Sequence, residues 1–228
     1  MAVLITGHLG TIGSKLAEKI LYVGIDLRAG KNLLSCQLPD DIDTIYHLAA
    51  QSDVNPSWED PLHDLNNIRM TARLVHAYPN AKIIYANSAA AKEPISSPYG
   101  FSKWASAEYL KRFHSNYVIC TFPNVYGTGR SVVDIFKRSQ EVTIFGDGMQ
   151  TRDYVYIDDI VNGLLLAKDW PLGEYEMGSG KQTTVMELAA GKSVLFAQAR
   201  KEARESIMSN TTPNWYPQMD VLEYLYEN

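Results

Sequence analysis

Residues 2–13 read AVLITGHLGTIG, a short apolar run followed at once by glycines at positions 7, 10 and 13. A short continuous apolar run is typical of a strand that is buried on both faces of a parallel sheet. Glycines at this spacing between a strand and a helix allow a tight turn and a close approach of the backbone to a pyrophosphate. The stretch therefore predicts a strand, a phosphate-binding turn and a helix, the first unit of a doubly wound α/β fold.

The next predicted strand, residues 22–26, ends in Asp26. A carboxylate at this position hydrogen-bonds the ribose hydroxyls of a bound dinucleotide and repels a 2′-phosphate, which favours NAD over NADP. Arg28 lies close enough in the sequence to keep NADP open as the alternative. A further strand is predicted at residues 44–48, and the small residues Ala49 and Ala50 after its end would let a cofactor approach the backbone.

Other apolar runs predict strands at residues 32–38, 82–86 and 117–120, and apolar periodicity predicts helices over residues 56–78 and 99–114. Only residues 39–43 would separate the strand at 32–38 from the strand at 44–48, whereas parallel neighbours need a longer crossover. Either this crossover is unusually short or residues 32–38 are not a strand.

The alternation of strands and helices becomes irregular beyond residue 127. Helices are predicted over residues 131–139, 158–168 and 185–199, with short strands at 142–145 and 154–156. The sequence therefore predicts a Rossmann-type doubly wound parallel sheet over residues 1–127, which carries the cofactor site, and a smaller C-terminal substrate-binding lobe over residues 128–228. We do not expect the two to be sharply separable.

A tyrosine and a lysine lie four residues apart at Tyr99 and Lys103, on one face of a predicted helix. An ammonium held one turn away favours the phenolate and lowers the pKa of the tyrosine from its usual value of about 10. Ser88, just after a predicted buried strand, supplies a hydroxyl that could hydrogen-bond the same substrate oxygen. These three side chains can together remove the proton of an alcohol while hydride leaves the same carbon atom.

Composition and charge exclude several classes of function. The net charge is −5, the sequence pI is about 5.5 and no run of Lys or Arg occurs, which disfavours nucleic-acid and anionic-membrane partners. The sequence has no CxxC or HExxH motif, so no metal site is expected. Cys36 and Cys120 are interpreted as free thiols. With neither a leader nor a bilayer-spanning apolar run apparent, we expect a cytoplasmic protein.

Taken together, the motifs resemble the extended short-chain dehydrogenase/reductase family, in its NAD-dependent epimerase/dehydratase branch that acts on nucleotide sugars. The matching pieces occur in the family's order and cover essentially the whole chain: residues 6–13, Asp26, His47-Leu48-Ala49-Ala50, Ser88, residues 99–103, Asn124-Val125-Tyr126-Gly127, residues 145–160, Gly178-Ser179-Gly180 and Trp215-Tyr216-Pro217. The most distinctive is FGDGMQTRDYVYIDDI at residues 145–160, because it matches the sugar-nucleotide branch rather than Rossmann folds in general.

The resemblance implies a role for each matching residue. Tyr99 would be the acid/base, Lys103 would lower its pKa and hold the nicotinamide ribose, and Ser88 would position the sugar hydroxyl. The implied NAD-binding residues are Gly7, Leu9, Gly10, Thr11, Ile12, Gly13, Asp26, Leu48, Ala49, Ala50, Tyr99, Lys103 and Pro123. The implied nucleotide-sugar contacts are Ser88, Asn124, Arg152 and Arg204. A homodimer that pairs the helices at residues 61–78 and 99–114 is also implied.

Departures from the family pattern narrow the expected reaction. Dehydratases of this branch carry acidic residues just after the catalytic Ser or Thr, where this sequence has Ala89 and Ala90. Thr121 stands where the family has an arginine. Reductases that make GDP-fucose have a cysteine near the site, whereas no cysteine follows Ser88 closely here. We therefore expect an NAD-dependent nucleotide-sugar epimerase, specifically a UDP-hexose 4-epimerase that acts through a transient 4-keto sugar. The alternatives are a nucleotide-sugar reductase or dehydrogenase, a UDP-uronic acid decarboxylase, and a non-catalytic NAD-binding regulator or scaffold.

Overall fold

The computed structural model describes residues 2–52, 54–92, 95, 97–199 and 205–226. The first half of the chain forms β1 (Ala2–Thr6), α1 (Thr11–Ala17), β2 (Val23–Ile25), β3 (Ile42–His47), α2 (Val54–Glu59), α3 (Pro61–Ala77), β4 (Lys82–Ser88), α4 (Pro98–Phe113) and β5 (Tyr117–Phe122). The second half forms β6 (Asn124–Tyr126), α5 (Val132–Arg138), β7 (Glu141–Phe145), β8 (Thr151–Arg152), β9 (Tyr154–Tyr156), α6 (Ile157–Ala167), β10 (Gly173–Glu176), β11 (Thr183–Thr184), α7 (Val185–Leu188), β12 (Ser193–Ala197), β13 (Glu205–Ser206) and α8 (Val221–Tyr226).

The central element is a six-stranded sheet in the order β10-β5-β4-β3-β1-β2. The pairs β1–β2, β1–β3 and β3–β4 are parallel. The predicted fold class, a Rossmann-type doubly wound α/β sheet, is confirmed. In such a sheet, ligands bind outside the carboxyl ends of the strands, which here lead into the glycine turn, Ala49-Ala50 and Ser88.

The sheet is held by a buried apolar core that it shares with α3 and α4. Each such side chain contributes roughly 1.5–3 kcal/mol when it is fully buried. The residues at its centre, each fully shielded from solvent, are Leu4, Ile45, Leu74, Ile83, Leu110 and Ile119.

The two long helices of this core have well-defined starts. Asp60 caps α3 by accepting a hydrogen bond from the His63 N–H group (3.3 Å), and Pro61 follows as the first helical residue. Because of this cap, the predicted helix over residues 56–78 is divided into α2 and α3. Ser97 caps α4 in the same way by accepting from the N–H group of Gly100 (3.0 Å).

The strand predicted at residues 32–38 is wrong. This segment forms turns, and the Arg73 guanidinium donates hydrogen bonds to the carbonyls of Leu33 (2.5 Å) and Cys36 (2.6 Å). These carbonyls are therefore not available for a strand ladder, and β2 stays at the edge of the sheet. The short connection at residues 39–43 therefore indicated correctly that residues 32–38 are not a strand.

The helix predicted over residues 185–199 is also wrong in most of its length. The helix α7 ends at Leu188, and Gly191 has a φ of +74°, a left-handed conformation that a helix cannot contain. The following residues form β12, which pairs in parallel with β7. Val194 and Phe196 favour this outcome, because β-branched and aromatic residues suit strands.

The chain divides into two compact units. The first comprises Met1–Thr121 and Leu164–Tyr175, and the second comprises Phe122–Gly163 and Glu176–Asn228. The first unit thus includes a segment from the second half of the chain, and Lys82 donates hydrogen bonds to the Lys168 and Trp170 carbonyls in that segment (both 2.7 Å). The boundary predicted after residue 127 falls inside a segment of the second unit.

The second unit has smaller sheets, in the orders β11-β8-β13, β12-β7 and β6-β9. Its core includes Tyr126, Val133, Phe136, Ile144, Tyr154 and Leu188. In the part of the chain that the structure describes, no helix has the length and apolarity needed to cross a membrane.

Candidate active site

The glycine turn after β1 packs too closely to hold side chains. Gly7 has a φ of +76°, and an ideal Cβ atom on it would lie 2.7 Å from the backbone nitrogen of Ala49. A Cβ atom on Gly13 would lie 2.1 Å from the carbonyl oxygen of Gly7, and the Gly10 N–H group donates to the same oxygen (2.9 Å). The helix α1 starts at Thr11 with Gly10 as its cap and no side-chain hydrogen bond there. The turn is therefore an open backbone cradle of the kind that binds a pyrophosphate.

Asp26 joins this turn to the end of β2. Its carboxylate accepts hydrogen bonds from the N–H groups of Leu9 (2.9 Å) and Arg28 (2.8 Å). The Arg28 guanidinium in turn donates to the Leu9 carbonyl (2.9 Å). The carboxylate keeps lone pairs that can accept from ribose hydroxyls, as the sequence predicts for NAD.

The end of β3 lies against the same turn. The N–H group of Leu48 donates to the Thr6 carbonyl (3.1 Å), and that of Ala49 donates to the Thr6 hydroxyl (3.2 Å). Ala50 follows directly. The structure therefore brings the predicted cofactor residues of the glycine turn, the end of β2 and the end of β3 to one edge of the sheet, where they fit a dinucleotide. They are Gly7, Leu9, Gly10, Thr11, Ile12, Gly13, Asp26, Leu48, Ala49 and Ala50.

The predicted base and its lysine lie in the first two turns of α4. Lys103 is buried, and its ammonium donates to the Ala86 carbonyl and lies 4.2 Å from the ring centroid of Tyr85. Burial lowers the pKa of Lys103 to about 7. The backbone of Tyr99 is fixed at its N–H group, which donates to the Ser57 hydroxyl (3.1 Å).

Ser88 is the last residue of β4, and its hydroxyl accepts a hydrogen bond from the Ala90 N–H group (3.2 Å). It thereby caps the short 3₁₀ turn Ala89–Ala91, which packs on α4 beside Gly100. Ser88 is thus held by its own turn next to the helix that carries Tyr99 and Lys103. This arrangement can bind an alcohol and take its proton.

A buried polar chain links the cofactor edge to α3, and sequence reasoning did not identify it as part of the site. The Thr71 hydroxyl donates to the Asn67 carbonyl (3.0 Å), so it must accept from Nε2–H of His47 (3.1 Å). The other ring nitrogen, Nδ1, then accepts from the Thr6 hydroxyl (2.8 Å), which itself accepts from Ala49. Burial lowers the pKa of His47 to about 3 and keeps this tautomer neutral.

Asn67 continues this series of buried hydrogen bonds to α4. Its Oδ1 atom accepts from the Gln51 N–H group (2.8 Å), and its Nδ2 atom donates to the Gln51 carbonyl (3.1 Å) and to the Ser102 hydroxyl (2.9 Å). The Ser102 hydroxyl donates to the Tyr99 carbonyl (2.8 Å). One side chain therefore links the backbone after β3 to the turn of α4 that bears Tyr99, the predicted base. Its sequence signal is a polar residue on the same helix face as Thr71 and Leu74.

The remaining predicted site residues belong to the second unit. Pro123 is buried between β5 and β6. Asn124 is exposed, and both its backbone and side-chain nitrogens donate to the Asp153 carbonyl (3.1 and 3.3 Å). Arg152 is the last residue of β8 and directly precedes Asp153, so Asn124 bonds to the residue that follows Arg152 in the sequence. Arg204 lies outside the described residues.

A model of the NAD dependent epimerase/dehydratase family matches residues 3–177. The chain belongs to this family. NAD is accordingly its cofactor, and the glycine turn, Asp26 and the alanines after β3 have the form that NAD requires. The predicted resemblance to this branch is confirmed.

Individual members of the family are similar over most of their length. The UDP-glucose 4-epimerase of Mycolicibacterium smegmatis is 29% identical over a 300-residue alignment that covers 98% of this chain and 96% of the relative. The solved UDP-glucose 4-epimerase of Thermotoga maritima, with UDP-glucose, has a TM-score of 0.80 and 26% identity, covering 99% of this chain and 96% of that one. The solved UDP-glucuronic acid 4-epimerase of Bacillus cereus, with UDP-glucuronic acid and NAD, has a TM-score of 0.82 and 25% identity over the same shares.

Proposed function

We propose that this family member is a UDP-hexose 4-epimerase, which inverts carbon 4 of a UDP-sugar through a transient 4-keto sugar. The observation that carries the proposal is the acid–base set of Ser88, Tyr99 and Lys103 beside a turn made of Ala89–Ala91. The family resemblance implies that dehydratases of this branch use acidic residues just after the catalytic Ser or Thr to assist the departure of a hydroxyl. The side chains at the two positions after Ser88 are methyl groups, which favours epimerisation over dehydration.

Each residue of the set then has a defined task. The Lys103 ammonium stabilises the Tyr99 phenolate, which takes the proton of the hydroxyl on carbon 4. The Ser88 hydroxyl hydrogen-bonds the same oxygen and orients it. Bound NAD would supply a reversible acceptor for the hydride of carbon 4. The keto sugar then rotates in the site so that the hydride returns to its other face. Tyr99 gives the proton back, and no net oxidation occurs.

The nucleotide end of the substrate is assigned to the second unit. Arg152 offers a guanidinium for the diphosphate, because its planar fork matches phosphate oxygens. Asn124, which is exposed beside Asp153, offers an amide to the nucleotide sugar. Arg204 and Pro123 keep their predicted roles, on the diphosphate and the cofactor respectively. The named relatives that bind UDP-glucose and UDP-glucuronic acid support a UDP-sugar as substrate.

We also propose that the protein is a homodimer, formed through its exposed helical face. An apolar groove of about 690 Å³ runs over α2, α3 and α4 of the first unit. Its large apolar side chains are partly or largely exposed: Trp58 50%, Leu62 73%, Leu65 44%, Phe101 49% and Trp104 38%. So many apolar groups side by side on a monomer surface mark an interface, and a symmetric contact with the same helices of a second copy would cover them.

The cysteines support a cytoplasmic location. Cys36 and Cys120 are both free, and burial raises the pKa of Cys120 so that its thiol stays protonated. Free thiols of this kind are normal in a reducing compartment.

The experiment that tests the proposed function is NMR of the purified protein with a panel of UDP-, dTDP- and GDP-sugars and no added cofactor. The proposal expects a new 4-epimer from a UDP-sugar without accumulation of NADH. Turnover that occurs only when NAD or NADPH is supplied would indicate a reductase or dehydrogenase instead. Release of carbon dioxide from a UDP-uronic acid would indicate a decarboxylase, and NAD binding without any turnover would indicate a scaffold.

A further inference from the structure

Lys103 lies against the face of a second tyrosine, which the reaction does not use. Tyr85 is on β4 and is 1% exposed, and the Lys103 Nζ atom lies 4.2 Å from its ring centroid. The only other contact described for this ammonium is the Ala86 carbonyl, also on β4. A cation held over an aromatic face at this distance is attracted by the negative face of the ring, and more strongly when water is excluded.

The lysine needs such support because its surroundings oppose its charge. Burial lowers the pKa of Lys103 to about 7, yet the acid–base role requires the ammonium form at that pH. The titratable groups that face it are Tyr85 from β4, Tyr99 from the preceding turn of α4 and His47 from β3. His47 is neutral, and burial raises the pKa of Tyr85 so that its phenol is neutral too. Until Tyr99 loses its proton, the Lys103 ammonium therefore faces only neutral groups among these. Its charge is stabilised by the Ala86 carbonyl and the aromatic face of Tyr85.

The ring of Tyr85 is buried against a neighbour that is itself anchored. It packs against the His47 ring at a centroid distance of 5.5 Å, and His47 is fixed at both ring nitrogens by Thr6 and Thr71. A ring clamped in this way can keep the ammonium at a constant position relative to the helix turn that bears Tyr99.

We propose that Tyr85 is a positioning residue of the acid–base site, whose aromatic face holds Lys103 in place and keeps it protonated by a cation–π interaction. The importance of this for turnover rests on the proposed function, since it assumes that Lys103 supports Tyr99 as the base. The interaction itself does not depend on the identity of the substrate. The hydroxyl of Tyr85 has no part in the cation–π interaction, so we expect phenylalanine at this position to support Lys103 equally well.

The test is a pH titration of the lysine side chain by NMR. Protein labelled with ¹³C-lysine is titrated in the NAD-bound form, and the Cε signal of Lys103 is identified by its loss in Lys103→Met. Tyr85→Leu removes the π face, and Tyr85→Phe keeps it. We expect Lys103 in Tyr85→Leu to titrate about one pH unit lower than in the wild type, and Tyr85→Phe to titrate as the wild type does. Equal values in Tyr85→Leu and the wild type would overturn the proposal.

A second readout separates this proposal from the proposed function. If the wild type epimerises a UDP-sugar, the alkaline limb of its pH–kcat profile should move to lower pH in Tyr85→Leu and return in Tyr85→Phe. If the wild type has no epimerase activity but Lys103 titrates lower in Tyr85→Leu, the proposed function fails and the cation–π support stands. Circular dichroism checks that Tyr85→Leu is folded. Tyr85→Met, which fills more of the same space without a π face, replaces it if it is not.

Discussion

Gly100 lies so close to Ala90 that an ideal Cβ atom on it would be 2.2 Å from the Ala90 carbonyl oxygen. Real Cβ atoms essentially never come within 3.0 Å of another heavy atom in this way. Gly100 follows Tyr99, and Ala90 is in the turn that Ser88 caps. The absence of a side chain at residue 100 therefore sets the spacing between the serine and the tyrosine of the proposed active site.

Gly100→Ala should consequently damage catalysis more than stability. The added methyl group must push the turn after Ser88 away from α4, and overpacking of this kind costs about 1–3 kcal/mol. A displacement near 1 Å at the reacting groups lowers kcat by roughly 100-fold. Steady-state kinetics and thermal unfolding measure the two effects.

The matched control is Gly173→Ala. Its nearest atoms would lie 3.5 Å or more from the new Cβ atom, which is ordinary contact, and Gly173 does not have a positive φ. We expect this variant to keep wild-type kinetics. Equal kinetics in Gly100→Ala and Gly173→Ala would show that the close contact has no influence on the active site.

Tyr99→Phe should abolish turnover but leave the protein folded with NAD bound. The variant loses the only proton-transfer group of the proposed mechanism, and such groups contribute about 10²–10⁴-fold to the rate. The decrease is measured in kcat for the 4-epimer, and retained NAD is measured after denaturing the purified protein. A kcat within tenfold of the wild-type value would contradict the assignment of Tyr99 as the base.

His47 should make the stability of the fold depend on acid. Its pKa is about 3 in the folded protein and about 6.5 in the unfolded chain, so the unfolded chain binds one more proton between these values. Stability is therefore complete above pH 6.5 and is lost as the pH falls toward 3. Between pH 6 and pH 4, the free energy of unfolding should fall by about 1.4 kcal/mol per pH unit more in the wild type than in His47→Gln. Urea titrations at several pH values give this difference, and parallel curves would mean that His47 is protonated in the native state.

Leu62→Asp should convert the proposed dimer to a monomer. Leu62 is 73% exposed in the apolar groove, and a carboxylate there would be desolvated in the dimer without a partner. Light scattering after size-exclusion chromatography measures the mass. Leu21→Asp is the control, because Leu21 is 94% exposed but does not line the groove. A wild-type protein that elutes with the mass of one 25.5-kDa chain would contradict the dimer proposal.

Local patterns predicted the fold well where different local signals agreed. The run of residues 2–6 and the glycines after it predicted β1 and its turn correctly, because apolar periodicity and turn chemistry agreed. Residues 32–38 were wrongly predicted to be a strand, because their apolar content gives no sign of Arg73. This residue is distant in the sequence and binds the carbonyls of Leu33 and Cys36. The prediction of a helix over 185–199 was wrong because Gly191 has a left-handed conformation that a helix cannot contain, and because β7 offers a partner for β12.

The candidate active site shows the same division between local and distant signals. Tyr99 and Lys103 could be predicted as site residues from their spacing, because a helix places residues four apart on one face, and Ser88 from its position at the end of a predicted strand. Asn67 and Tyr85 could not, since their contacts with Gln51, Ser102 and Lys103 join elements that are far apart in the sequence. A polar or aromatic residue in a buried run has many uses, and only the tertiary structure shows which one applies.

The most direct test of the epimerase proposal follows an isotope at carbon 4. UDP-glucose that carries deuterium at carbon 4 is incubated with the purified protein and no added cofactor, and the products are analysed by NMR. The proposal predicts a UDP-hexose inverted at carbon 4 that still carries the deuterium at that carbon, because the same hydride is removed and returned. A product that has lost the deuterium from carbon 4 would contradict the proposal. So would the absence of any change in UDP-glucose and in the other UDP-hexoses.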